Sequence, residues 1–356
     1  MRGKDAERFV VLDGLRGAAA FAVVTVHASS PTGKALLPEA PLAVDFFFAL
    51  SGFVIAYAYG ARFRNGFSVF EFMRARWVRF WPMLLAAFIL ALAFILIGAA
   101  MRSGFHAPLN KYLASIILGL AFLPVPPGLS TDPRVAFPIV GPSYTMFLEL
   151  SVNLLFALLA ARLSRSLLVT IVVLFAGLLI WTAWEYGTII EGWLWEGFIG
   201  AFPRVGFSFF SGALVYELWR RWHPPAMPAW CSFVLLLVVF MVPASGAWYE
   251  LISVFAFFPA LILFSAGAHV TGRFEWTCLK IGALSYGFYI IHVPITRFVE
   301  AIVPYFGVTP EALDVWLVLL VVAITGVMTI LLTRFYERPF RRILGRFGEA
   351  RAATTP

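Results

Sequence analysis

The chain has 356 residues, of which 61% are hydrophobic and only 13% charged, and its mean hydropathy is +0.88. Soluble domains carry about 25% charged residues, so too few charges remain to cover a water-facing surface, and lipid must solvate the chain as a bundle of helices. The net charge of +8 comes without a basic domain outside the apolar segments, which argues against a nucleic-acid partner and for basic loops that orient helices. Cys231 and Cys278 lie in separate segments and give neither zinc spacing nor a disulfide framework; no metal site is expected.

A membrane-spanning helix needs about 20 mostly apolar residues. Ten segments qualify in chain order: 9–29, 43–61, 82–101, 143–161, 166–184, 203–219, 229–243, 249–268, 279–299 and 313–335. The first contains Asp13 and Arg16 and lacks a small-residue cleavage site, so it reads as a retained span rather than a signal peptide. Segment 229–243 is short and ends at Pro243, and 110–124 is short, apolar and followed by Pro126 and Pro127. Loop charge decides between topologies. With a cytoplasmic N-terminus and 110–124 not crossing, 20 of the 27 Lys and Arg residues fall on the cytoplasmic side, from Arg2, Lys4 and Arg8 to the group that ends at Arg346 and Arg351. Lys34, Arg102, Lys111 and Arg134 fall outside, with the acidic Glu185, Glu191, Glu196, Glu300 and Glu311, while Arg16, Arg204 and Arg297 lie within spans. The expected fold is all-α: a polytopic membrane helix bundle of about ten transmembrane helices plus one re-entrant or short helix in 102–142. Residues 1–345 form a single transmembrane domain, 346–356 a cytoplasmic tail, and both termini are cytoplasmic.

Ionisable groups within spans are costly and usually face the bundle interior. Arg16 and His27 are eleven residues apart, which returns a 3.6-residue helix to nearly the same face after a rise of about 16 Å. Asp13, three residues before Arg16, is within side-chain reach. Depth along each span brings His27, Asp45, Glu149, Arg204 and His292 to the outer half. A carboxylate beside an imidazole fixes its tautomer and raises its basicity, the requirement for deprotonating a hydroxyl. Structural contacts between helices are the alternative for Glu149 and His292. On the inner side, Arg74, Arg76 and Arg79 lie in the loop before Pro82, interleaved with Trp77 and Trp81. They suit a phosphorylated ligand, since guanidinium groups bind phosphate oxygens bidentately; an ordinary orientation-setting loop is the alternative.

These residues carry a resemblance to integral membrane acyltransferase family 3. Leu12-Asp13-Gly14-Leu15-Arg16-Gly17, with His27 completing R-x10-H, resembles that family's opening signature. Val44 to Phe53 resembles its VDxFFxLSGF segment, and Arg76 to Pro82 its basic segment. Tyr144 to Glu149 is similar to its W-[ST]-L-x-x-E motif, with Tyr144 in place of Trp and Met146 in place of Leu. Arg204 to Gly212, Ser285 to Pro294 and Glu337-Arg338-Pro339 resemble its three later motifs. The resemblance implies transfer of an acyl group, acetyl or similar, from acyl-CoA to a hydroxyl of a carbohydrate or glycolipid. His27 is then the catalytic base, Arg16 its partner in the motif, and Asp45 or Glu149 the group that orients it. Arg74, Arg76 and Arg79 would bind acyl-CoA, with Asp13, Ser51, Arg204, Tyr286, His292 and Glu337 as further pore-lining candidates. No bound cofactor is expected, acyl-CoA being a substrate. The implied setting is the bilayer of a bacterial inner membrane. A transporter or flippase also uses intramembrane charges, and a non-catalytic polysaccharide-export partner is a third possibility; the chain shows no repeat symmetry between halves to favour the former.

Overall fold

In lipid, backbone N–H and C=O groups have no water to bond, so apolar runs satisfy them internally as helices. The computed structural model describes residues 9–29, 35–102, 104–243, 246–309, 313 and 315–342. In chain order the helices are α1 (Val10–Ser29), α2 (Ala43–Arg64), α3 (Val69–Arg102), α4 (Leu109–Leu120), α5 (Ser143–Ala160), α6 (Arg165–Tyr186), α7 (Ala201–Trp222), α8 (Ala229–Met241), α9 (Ala247–Ser265), α10 (Gly272–Ile302) and α11 (Val315–Leu332). An isolated antiparallel bridge joins Val135 to Leu194. The N-terminal residues 1–8 and the tail from 343 lie outside the described residues, as do Arg346, Arg351 and the 346–356 boundary.

Among the described residues, nine helices are long and apolar enough to cross a bilayer. They coincide with nine of the ten expected spans. The tenth, 229–243, is the 13-residue α8, which rises only about 20 Å against a hydrocarbon layer of about 30 Å. Pro228 before it and the extended backbone at Val242 after it set these limits. The segment still runs between faces. A Cβ on Gly14, early in α1, would collide with Phe233, whereas Glu39, beyond the other end of α1, donates its amide to the Phe240 carbonyl.

A second difference concerns Arg74, Arg76 and Arg79. The expected loop is helix, because α3 begins at Val69 and runs through Pro82. Proline within a membrane helix is tolerated where neighbours satisfy the freed carbonyl. The short helix expected in 102–142 is α4, packed on α3 where Gly119 meets Phe88. The Pro-rich chain after it bonds to the segment before α7. Ala136 donates its amide to the Trp193 carbonyl, Trp195 donates its amide to the Arg134 carbonyl, and the Trp195 indole donates to the Val125 carbonyl at 3.0 Å. Two connections thereby satisfy each other's backbone groups and cap one face.

Two features lock α2 against α7. A Cβ on Gly52 would lie 1.8 Å from the Phe209 carbonyl oxygen, and one on Gly212 would lie 1.9 Å from that of Ala49, so the backbones touch as small residues allow. One end of the same pair is tied by Asp45 and Arg204, 0% and 1% exposed. Arg204 Nε donates to both Asp45 oxygens at 3.0 Å, and Nη2 donates to Oδ2 at 2.6 Å. Nη2 also reaches the Pro41 carbonyl and Ser208 Oγ the Asp45 carboxylate. Outside the spans, Glu191, whose carbonyl accepts from Arg204, has its carboxyl pushed up by burial.

Gly212→Val should prevent the α2–α7 contact and leave little correctly inserted, monodisperse protein on size-exclusion chromatography. Asp45→Ala, which leaves the Arg204 charge buried and unpaired, should cost about 3–5 kcal/mol, read as a large drop in thermal-unfolding midpoint.

Candidate active site

On the face where Arg62, Arg79, Arg220 and Arg341 gather, a cavity of about 340 Å³ opens between α1, α2, α3, α5, α10 and the end of α11. Arg16 stands at its edge. It donates to Asp13 Oδ1 at 3.0 Å, to Ser285 Oγ at 3.1 Å and to the Gly282 carbonyl at 3.0 Å. Asp13 is therefore its local partner, and the guanidinium pins α1 to α10. Asp13 itself faces a smaller adjoining pocket of about 170 Å³ that shares Arg16.

Glu149 lies in this cavity. Ser51 donates its hydroxyl to Glu149 Oε1 at 2.9 Å, and Arg76 donates to the same oxygen. The expected contact between Glu149 and His27 is replaced by this one, because α5 turns the carboxylate toward α3 rather than α1. Asp45 is likewise absorbed by Arg204, so neither carboxylate orients His27. Asp45 and Arg204, both expected at the site, line no part of the cavity and serve as a buried clasp.

The three arginines of α3 also separate. Arg76 is buried and held on Glu149, Arg79 lines the cavity from an exposed position, and Arg74 points outward and takes no part. Arg341 replaces it: its guanidinium donates to the Arg79 carbonyl at 2.6 Å and pairs with Glu337 at 2.7 Å. Glu337 closes a π-helical turn, Thr333–Glu337, that continues α11; such single turns re-aim side chains. Tyr286 lines the wall and donates to the Phe80 carbonyl at 2.6 Å. Among the described residues, four guanidinium groups, Arg16, Arg76, Arg79 and Arg341, thus line this space with two carboxylates, Glu149 and Glu337.

The deep end of the cavity is walled by Phe47, Thr145, Met146 and Tyr289. Beyond Tyr289 stands an imidazole pair. The His27 and His292 rings are 4.8 Å apart at 69°, and Tyr289 is 5.7 Å from His292. His27 Nδ1 contacts the Val23 carbonyl at 2.8 Å, and His292 Nδ1 that of Tyr289 at 2.5 Å. A carbonyl only accepts, so each neutral ring carries its hydrogen on Nδ1 and keeps a lone pair on Nε2. His292 is fully buried, with Nε2 unpartnered among the described residues, whereas His27 keeps an open edge at the protein surface.

One stripe of α10 connects the two regions. Gly282, Ser285, Tyr289 and His292 are spaced three or four residues apart, with Tyr286 beside Ser285, the spacing of one helix face, and the rise from Ser285 to His292 is about 10 Å. Arg341 and Tyr289 escaped the sequence reading. Arg341 sits four residues after Glu337, and Tyr289 three before His292, spacings that place each pair on one face. Among the described residues, no three His, Cys, Asp or Glu side chains converge to hold a metal ion.

Comparison with known proteins bears on this arrangement. A family model described as an acyltransferase domain matches residues 9–334. A curated relative, Acyltransferase MdmB of Streptomyces mycarofaciens, is 26% identical over 396 aligned positions, covering 98% of this chain and 96% of that protein. Protein 2 in picA locus of Rhizobium radiobacter is 34% identical over 190 residues, covering 51% of this chain and 97% of that protein. No solved structure matches. With nine helices able to cross a bilayer among its described residues and the family model over nearly its whole length, the chain belongs to acyltransferase family 3 and is a membrane acyltransferase.

Proposed function

We propose that the protein transfers an acyl group, acetyl in the simplest case, from acyl-CoA at the arginine-lined cavity to a hydroxyl of a carbohydrate or glycolipid presented at the opposite face. The observation that carries this reading is the single stripe of α10 running from that cavity to the imidazole pair. Phosphate groups suit Arg79 and Arg341 at the mouth, where guanidinium groups remain accessible. The cavity holds only part of a CoA molecule, so the nucleotide rests at the mouth and the pantetheine arm extends inward. The thioester then passes Tyr289 to reach His27.

His27 Nε2 takes the proton of the acceptor hydroxyl. The hydroxyl oxygen attacks the thioester carbonyl, the C–O bond forms and the C–S bond breaks. The thiolate departs toward the cavity and takes up the proton that His27 gives back, restoring the neutral ring. His292, with its Nε2 lone pair beside His27, stabilises the transient imidazolium. Arg16 acts by holding α1 to α10, so that the two imidazoles stay opposed. The cytoplasm of a bacterium supplies acyl-CoA, which assigns the basic face to the cytoplasmic side of the inner membrane.

His27→Ala should lower kcat by about 10²–10⁴-fold, the usual contribution of a general base, with the protein still inserted and acyl-CoA still bound. Arg79→Gln and Arg341→Gln should each raise the KM for acyl-CoA by about tenfold, the worth of one charge-assisted contact, while Arg74→Gln leaves it unchanged. Equal effects at all three positions, or none, would overturn the donor assignment.

A further inference from the structure

A second cavity, of about 250 Å³, opens near the capped face between α3, α4 and α10. Its walls are largely aromatic. Phe94 and Phe298 stack at 4.1 Å, and Phe105 packs on Tyr112 at 5.4 Å. Among the described residues, the arginine that faces this space is Arg297, on α10, which is exposed, and His106 lines it as well. Among the described residues no carboxylate lies within ion-pair distance of Arg297. Glu300, one turn on, and Asp132 act on it electrostatically from further away, and Asp132 is itself paired with Arg134 at 3.3 Å. Arg297 shares α10 with His292, whose ring meets that of His27 at 4.8 Å. It lies five residues beyond His292, a rise of about 7.5 Å.

An accessible guanidinium within an apolar helix, beside aromatic faces and on the same helix as His292, suits a ring that carries negative charge. The volume lies below the ~300–1,000 Å³ of drug-sized sites, which suits a single ring. Resting on the acyl-transfer reading above, we infer that this cavity binds the acceptor, and that the acceptor is an anionic sugar. Its carboxylate or phosphate pairs with Arg297, and a hydroxyl on the other side of the ring reaches His27. Aromatic faces contact the apolar face of the ring, while the fork geometry of arginine suits either oxyanion.

The test uses the full-length protein in lipid nanodiscs and measures binding, which needs no turnover. Methyl glucuronide and methyl glucoside differ only in the anionic group. The wild type should bind the glucuronide at least about tenfold more tightly, as expected for one charge-assisted contact. Arg297→Gln should remove that preference and Arg297→Lys should retain part of it. Gly98→Leu projects a side chain into the same cavity from a position where an added Cβ meets nothing within 4 Å; it should weaken both sugars. Dodecyl glucuronide incorporated in the nanodisc separates the sources: tighter, Arg297-dependent binding of the tailed probe assigns a lipid-linked acceptor, and equal binding a soluble one. Equal affinity of the wild type for the two methyl glycosides, or a preference that survives Arg297→Gln, would overturn the inference and leave Arg297 as an interfacial anchor. Glucuronide binding by a wild type that shows no transfer from acyl-CoA would count against the donor assignment and leave the acceptor pocket standing.

Discussion

The arrangement depends on a guanidinium wedged between two helices. Arg16 reaches from α1 to a hydroxyl and a carbonyl of α10 and keeps Asp13 as its counter-charge. A charge at that depth is tolerable only with its hydrogen-bonding capacity well used, and using it fixes how α1 sits along α10. From Gly282 to His292 is ten residues and from Arg16 to His27 eleven, so the two parallel helices climb nearly equal heights at 1.5 Å per residue. The imidazoles meet because the lower contact sets the register. A slip of one residue would also rotate each ring by about 100° around its helix.

The charge distribution follows from the same economy. Asp45 and Arg204 neutralise each other outside the arginine-lined cavity, and Arg76 is spent on Glu149. What stays accessible is cationic: Arg79 and Arg341 at one cavity, Arg297 at the other. Buried pairs hold the helices together, and the guanidinium groups that keep exposed area lie at the cavities.

Much of the fold was legible in the sequence, because apolar length alone dictates helices in lipid. Nine spans were found that way, and the segment that became α8 stood out as short, ending at Pro243. The membership of the site was legible only in part. Arg16, Ser51, Arg76, Arg79, Glu149, Tyr286 and Glu337 do share one cavity, and His27 does meet His292. Their partnerships were not. Position along a span gives height but not the direction a side chain faces across the bundle. Glu149 has a height compatible with His27 and an orientation that gives it to Arg76. Asp45 and Arg204, 159 residues apart in sequence, find each other through the α2–α7 contact, which no local pattern encodes. Arg341 was read as one more orienting charge because its role appears only when the end of α11 packs on the start of α3.

The brevity of α8 has a mechanical corollary. Many of its side chains, Trp230, Val234, Leu237 and Met241 among them, are exposed, as befits a helix facing lipid. A face about 20 Å tall cannot match an undisturbed bilayer, so the leaflets must draw together or the flanking chain must descend into them. α8 lies alongside α1, the helix that bears His27. Where the leaflets draw together, headgroups and water come closer to the bundle on this flank than where a full-length helix holds the membrane at its resting thickness.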